Sequence, residues 1–162
     1  MSDPAVRRVG REGDILYIGP AQSNETIRHQ IQWYHETLEE NNHPVPDDMV
    51  IVREFYCART PEEALEKAKR GFAKKYEVYA QHGLHGTDSE LTKKVTGDPE
   101  TLMDDTFLVG TPEECIEQIA VYHRMGFTDV SLRLFYPEMS QSEVLEHIDL
   151  VGQEVIPALH SL

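Results

Sequence analysis

The chain has 162 residues, of which 40% are hydrophobic and 27% charged, as is usual for one globular domain. It carries 15 Lys and Arg residues against 29 Asp and Glu residues. The formal net charge of −14 repels a phosphate backbone, so we expect no nucleic-acid partner. No run reaches the roughly 18 apolar residues of a membrane span, and the N-terminus lacks the apolar core of a secretory signal. The sequence therefore predicts a cytoplasmic protein without a membrane segment.

The first strand is predicted at Asp14–Ile18, a short apolar run that Gly19 and Pro20 end. A helix with Ser23 as its N-cap then extends to about Asn41. Its apolar residues recur at intervals of three and four, which predicts one buried face. These residues are Ile27, Ile31, Tyr34 and Leu38.

The second strand is predicted at Met49–Ala58, which is rich in β-branched and aromatic residues. The sequence Thr-Pro-Glu-Glu follows, in which Thr60 would cap a helix and Glu63 would return a hydrogen bond to the Thr60 N–H. We expect this long helix to end near His82. Residues 83–106 have low apolar content and predict an exposed excursion within a single domain spanning residues 1–162.

The excursion has a possible short helix at Ser89–Val95. After it, the Thr-Pro-Glu-Glu sequence recurs at Thr111–Glu114 and predicts a helix that ends near Gly126. A third strand is expected at Thr128–Tyr136. Ser140 then caps a final helix, whose shared apolar face consists of Val144, Ile148, Val151 and Val155.

Strands that alternate with helices require parallel pairing through right-handed crossovers, so the predicted fold class is α/β. Cys57 falls in a predicted strand and Cys115 in a predicted helix, and we expect both to be buried free thiols. His82 and His85 are the closest histidine pair, but their spacing matches no usual zinc pattern. We predict no metal site.

One long stretch has a pattern that is typical of a known family. Val109–Ile119, followed by Tyr122–Phe127 and the strand to Pro137, resembles the last segment of the luciferase-like monooxygenases. That family joins a VGTPEE-type helix start, an aromatic residue in mid-helix and a glycine before its last barrel strand. Arg7-Arg8 with Gly13-Asp14 resembles the helix end and turn before the family's sixth strand, and Val52–Ala58 would then be its seventh.

The resemblance implies a partial (β/α)8 TIM barrel with about three parallel strands, although a whole barrel has eight. It also implies FMN or a deazaflavin as cofactor and a small organic substrate. The expected function is the C-terminal part of a flavin-dependent monooxygenase or oxidoreductase. A non-catalytic half-barrel that serves binding or assembly is the alternative, since a fold does not dictate a function.

Barrel enzymes place their sites at the C-terminal ends of the strands. The candidate cofactor- or substrate-binding residues there are Tyr17, Arg53, Arg133, Phe135 and Tyr136. In the third strand, alternation directs Ser131, Arg133 and Phe135 into the barrel, and Val130, Leu132 and Leu134 towards the helices. The same argument directs Ile51, Arg53 and Phe55 of the second strand inward. No residue is assigned a catalytic role.

Two inward arginines would converge on one mouth and suit a flavin phosphate or a substrate carboxylate, because the planar guanidinium binds such oxygens in two places. The alternative is that Arg53 or Arg133 pairs with a protein carboxylate such as Glu54. At the helix start after Thr111, the acidic residues Glu113 and Glu114 favour a structural cap over an anion site.

A three-stranded parallel sheet leaves two open edges and an uncovered inner face. The face predicted from the sequence carries Ile51, Phe55 and Phe135. We therefore expect a homo-oligomer or a complementing subunit, because an isolated monomer would expose too much apolar surface.

Overall fold

The computed structural model describes residues 2–82 and 106–160. The helices in these ranges are α1 (Asp3–Glu12), α2 (Asn24–Glu40), α3 (Pro61–Gln81), α4 (Pro112–Arg124), α5 (Gln141–Leu150) and α6 (Ile156–Leu159), and a π-helical segment (Val151–Val155) joins α5 to α6. The strands are β1 (Tyr17–Ile18), β2 (Val50–Cys57), β3 (Leu108–Gly110) and β4 (Asp129–Arg133). No helix in the described ranges is long and apolar enough to span a membrane.

β2 is the strand with which the other three pair, and every pairing is parallel. β1 lies beside the start of β2, with Tyr17 opposite Val50. β4 runs along the first five residues of β2 and ends with Arg133 opposite Glu54. The predicted parallel α/β class is confirmed. The sheet has one strand more than predicted in its described part, because the three residues of β3 are too few to show a strand pattern.

The predicted excursion at 83–106, including its possible helix at Ser89–Val95, lies outside the described residues apart from Thr106. Thr106 itself is buried, with 4% of its surface exposed. It immediately precedes the buried residues that lead into β3.

Hydroxyl groups cap the helices where the sequence predicts them. Ser23 accepts the N–H of Thr26 at the start of α2. Thr60 likewise accepts the N–H of Glu63, but the Glu63 carboxylate binds the Lys67 ammonium at 2.6 Å. Two full capping boxes are present, with the carboxylate returning a bond to the cap N–H: Thr111 with Glu114, and Ser140 with Glu143. The predicted structural role of the Thr111 helix start is therefore confirmed.

The two cysteines are buried free thiols, as predicted. Cys57 ends β2, and Cys115 lies in the first turns of α4, where both join the same apolar cluster. A hydrogen bond with Cys57 and burial raise the pKa of the Cys115 thiol. Cys115 is therefore a neutral thiol that packs as a small apolar residue.

β2 is buried on both faces. Ile51, Arg53 and Phe55 lie on the face covered by α1, α2 and α4, together with Val130, Leu132 and Leu134 of β4 and its extension. The alternate residues, including Glu54 and Tyr56, face α3. Because both faces of β2 are buried, its sequence has no alternation of polar and apolar residues that would indicate its orientation.

In β4 the predicted packing of the apolar residues on helices is confirmed, since Val130, Leu132 and Leu134 pack on the cluster that includes residues of α1, α2 and α4. The predicted orientation of β2 is wrong. Ile51, Arg53 and Phe55 point towards α1, α2 and α4, away from the side of Arg133. The register decides this, because Glu54 is the Cα partner of Arg133 and neighbours along a strand point to opposite faces.

Two side chains replace strand pairing beyond the end of β4. The Tyr136 hydroxyl accepts the N–H of Phe55 at 2.9 Å and donates to the carbonyl of Arg133 at 2.5 Å. The His147 ring of α5 accepts the N–H of Cys57 through Nε2 at 3.0 Å. The backbone donors at the end of β2 are thus satisfied although β4 has ended.

His147 is neutral, with its proton on Nδ1. Nε2 accepts from Cys57, so Nδ1–H donates to the carbonyl of Leu134 at 3.2 Å. The ring is stacked on Tyr56, with a centroid distance of 4.4 Å. Burial lowers the pKa of His147 below its ordinary value of 6.5. Protonation of Nε2 would place an N–H group of the ring against the N–H of Cys57.

This geometry predicts a pH-dependent loss of stability. A His with a lowered folded-state pKa stabilises the fold fully above its unfolded pKa of 6.5, and that contribution is lost as the pH falls through the folded value. His147→Gln should lower the free energy of unfolding by about 1–3 kcal/mol at pH 7.5, and the deficit should shrink by pH 5. Urea titrations of both proteins between pH 5 and pH 7.5 measure this difference in the free energy of unfolding. The control is His35→Gln on the exposed side of α2, and a deficit that is constant with pH would contradict the assignment.

Candidate functional site

An open cleft lies between α3 and the chain that leaves β4. Its volume is about 370 Å³, and we call it the Arg133 cleft. Two of the predicted site residues, Arg133 and Phe135, line it. The remaining lining residues are Lys75, Val78, Tyr79 and Pro137.

A buried carboxylate lies at the base of this cleft. Glu54 of β2 is fully buried, and its Oε1 is 2.5 Å from Lys75 Nζ and 3.1 Å from Arg133 Nη1. The hydroxyl of Tyr76 donates to the same oxygen at 3.2 Å. Glu54 therefore joins the central strand, the helix α3 and the last strand through one atom.

The second oxygen of Glu54 has different surroundings. Oε2 is buried and has no hydrogen-bond partner within residues 2–82 and 106–160. A buried carboxylate oxygen without a partner is costly, so the contacts of Oε1 with the two cations offset the cost of burying Glu54.

The Lys75 ammonium is enclosed by aromatic rings. It lies 5.9 Å from the ring centroid of Tyr76, 5.6 Å from that of Tyr79 and 5.4 Å from that of Tyr136. Burial lowers the pKa of Lys75, against the opposing attraction of Glu54. Burial also raises the pKa values of the Tyr76 and Tyr136 phenols, which are therefore neutral hydrogen-bond donors.

A glycine allows α3 to approach closely enough for these contacts. A Cβ at Gly71 would stand 2.8 Å from the Cβ of Tyr136, which is closer than real contacts allow. Phe72 packs edge-on against the Tyr136 ring, with centroids 4.7 Å apart. Lys75 lies one helical turn beyond Gly71 and is thereby held over Glu54.

Arg53 does not converge with Arg133, because the two residues lie on opposite faces of the sheet. Arg53 is fully buried and donates through Nη1 to the carbonyls of Pro20 and Gln22, at 3.2 and 2.8 Å. Its guanidinium carbon lies 4.8 Å from the ring centroid of Tyr122. Arg53 thus fixes the loop after β1 against α4.

The two predicted tyrosines are placed differently from each other. Tyr136 is fully buried behind the cleft, where its hydroxyl bonds to backbone. Tyr17 is 57% exposed and lies beside Val50, four residues before Glu54. At about 3.3 Å per residue, Tyr17 is roughly 13 Å from the level of the cleft. The structure therefore groups Arg133, Phe135 and Tyr136 and separates Tyr17 from them.

The candidate site residues named from the sequence do not include Lys75 or Tyr79, and Glu54 was considered only as an ion-pair partner. In α3, Lys75 and Tyr79 are four residues apart, so they lie on one helical face. A lysine with aromatic residues one turn away was the available signal, but only the fold shows which strand that face meets.

A second cavity, of about 310 Å³, opens at the C-terminal end of β2 beside α5. Its wall includes Tyr56, Lys67, Glu143 and His147. Both nitrogens of His147 are engaged by backbone, and Glu143 is occupied by the Ser140 cap and Arg70. These groups hold the structure together, so the Arg133 cleft is the better candidate for a ligand site.

The parallel strands, the intervening helices and the cleft at the end of β4 have the arrangement of part of a β/α barrel. The chain belongs to the luciferase-like monooxygenase family, whose family model matches residues 1–129. The resemblance recognised in the sequence is thereby confirmed. Comparison with curated proteins gives no significant match.

Solved structures share this fold. The oxygenating constituent of 3,6-diketocamphane monooxygenase from Pseudomonas putida, in complex with FMN, superposes with a TM-score of 0.68 at 20% identity, over 95% of this chain and 45% of its own. The F420-dependent tetrahydromethanopterin reductase of Methanopyrus kandleri superposes with a TM-score of 0.65 at 17% identity, over 98% of this chain and 49% of its own. An F420-dependent secondary alcohol dehydrogenase, in complex with an F420-acetone adduct, superposes with a TM-score of 0.69 at 19% identity, over 98% of this chain and 47% of its own. This chain spans about half the length of each.

Removing the charge at the base of the cleft should destabilise the fold. Glu54→Gln leaves Lys75 and Arg133 beside a neutral group, and breaking a buried ion pair in this way costs about 3 kcal/mol or more. Chemical denaturation of Glu54→Gln measures the loss. Glu66→Gln, at an exposed position on α3, is the matched control and should change the stability by less than about 0.5 kcal/mol. Similar small changes in both variants would refute this role of Glu54.

Proposed function

We propose that this chain forms the C-terminal part of a luciferase-like oxidoreductase that uses reduced FMN or a deazaflavin to oxidise a small organic substrate. The observation that supports this most directly is the Arg133 cleft, because barrel enzymes hold their substrates at the C-terminal ends of the strands. The cleft has two cationic side chains at its bottom and exposed aromatic surface on its wall. In this function, Arg133 and Phe135 contact the substrate, and Tyr136 positions the strand end that carries them.

The described residues do not fit the phosphate end of such a cofactor. Arg53 uses its buried guanidinium on the carbonyls of Pro20 and Gln22. The helix start at Thr111, which could have received an anion, is filled by the Glu114 carboxylate at 2.8 Å from the Thr111 N–H. The cofactor's phosphate contacts would then come from barrel strands that these residues do not supply.

The site would be completed by a second copy or a complementing subunit. Among residues 2–82 and 106–160, β1 and β4 pair with β2 alone, so their outer edges have no strand partner in this part of the chain and could receive further strands. Large apolar side chains are exposed on the same elements, with Tyr17 at 57% and Phe135 at 68%. Added strands would cover this surface, and association of identical chains is the simplest source.

The test is to purify the tagged chain from its native host under gentle conditions, with whatever it assembles with. We expect an assembly larger than one chain by light scattering, with the absorption bands of an isoalloxazine or a deazaflavin. Mass spectrometry of the released cofactor identifies which of the two it is. A colourless, homogeneous protein that binds neither FMN nor coenzyme F420 on titration would instead support the non-catalytic half-barrel.

A further inference from the structure

The Arg133 cleft has a charge that is unusual for this protein. Among the described residues, Lys75 and Arg133 both face it and Glu54 balances only one of them, which leaves an excess of one positive charge. The whole chain carries a formal net charge of −14. A cationic recess on an acidic protein attracts and retains an anion at one place on the surface.

The arginine is oriented to receive such an anion. Only Nη1 of Arg133 contacts Glu54, and 39% of the side chain is exposed at the cleft. A guanidinium presents its remaining N–H groups in one plane, which matches the two oxygens of a carboxylate. Lys75 Nζ, 2.5 Å from Glu54, adds attraction from the base of the cleft.

The charge balance also limits the charge of the anion that the cleft favours. One excess positive charge matches a monoanion. A phosphate dianion would bring a second negative charge towards Glu54, whose buried carboxylate is close to both cations. Desolvation makes such repulsion stronger than it is in water, so the cleft favours a carboxylate over a phosphate.

The wall of the cleft suits a flat apolar body. Phe135 is 68% exposed and Val78 is 37% exposed, and Tyr79 and Pro137 complete the surface. An aromatic ring that stacked on Phe135 would remove that surface from water. The cleft volume of about 370 Å³ accommodates one or two fused rings.

We infer that the Arg133 cleft binds aromatic carboxylic acids, with the carboxylate on Arg133 and the ring on Phe135. The assignment of such an acid as the substrate rests on the proposed function, whereas its binding does not. The acid would enter as the carboxylate ion and keep this group unchanged as an anchor.

The test uses 2-naphthoate, 2-naphthamide and 2-naphthyl phosphate as probes of the native assembly, with affinity measured by calorimetry. We expect 2-naphthoate to bind about tenfold or more tightly than the neutral amide, and more tightly than the phosphate. Arg133→Gln should remove about tenfold or more of the naphthoate affinity and change the amide affinity little. Arg28→Gln, at an exposed position on α2, is the control and should leave both unchanged.

Equal affinities for the acid and the amide in the unaltered protein would overturn the inference, as would the absence of naphthoate binding. This comparison needs no variant, so it stands even if Arg133→Gln fails to fold. Naphthoate binding by an assembly that binds neither FMN nor coenzyme F420 on titration would refute the proposed function and leave this site intact. A flavin-containing assembly that does not bind naphthoate would refute the site alone.

Discussion

The contact on which the rest of this structure depends is the buried carboxylate of Glu54 with the ammonium of Lys75, 2.5 Å apart. Glu54 lies in the strand with which all the others pair, and Lys75 lies in the helix that covers one face of that strand. Neither charge could be buried without the other, because an isolated ion is strongly disfavoured away from water. The pair therefore fixes α3 on the sheet and creates the base of the cleft.

Arg133 extends this pair to the last strand. It binds the same oxygen of Glu54 at 3.1 Å while part of its side chain stays exposed. Beyond it the ladder ends, and Tyr136 and His147 supply the acceptors that a longer strand would have provided. The chain leaving β4 is consequently held in place, and Phe135 projects at the mouth of the cleft. Stability and the candidate site thus share one set of contacts.

The sequence was sufficient for most of the elements and for their order, but it did not predict the three residues of β3. The capping pair Thr111 with Glu114 and the apolar spacing of α2 depend on neighbours close in the chain, so local patterns predict them. The alternation of β4 was also readable, because apolar and polar residues alternate there. β2 has no such contrast, since Arg53 and Glu54 are equally buried on opposite faces. Its orientation depends on the register with β4, which a single sequence does not contain.

The candidate site was predicted only in part for the same reason. Arg133, Phe135 and Tyr136 follow from the end of one strand, whereas Lys75 and Tyr79 come from a helix more than fifty residues earlier in the chain. Their meeting requires the close approach of α3 at Gly71. The sequence predicted Arg53 and Arg133 on one face, but Arg53 lies on the opposite face, where it bonds to the loop after β1.

A double-mutant cycle between Glu54 and Lys75 tests the central claim most directly. The free energy of unfolding would be measured by urea denaturation for the unaltered chain, Glu54→Gln, Lys75→Met and the combined variant. If the buried pair holds α3 on the sheet, the coupling energy should be about 1.5 kcal/mol or more, as for contacting residues of one network. A coupling below about 0.3 kcal/mol would show that the two side chains act independently, and would contradict the account.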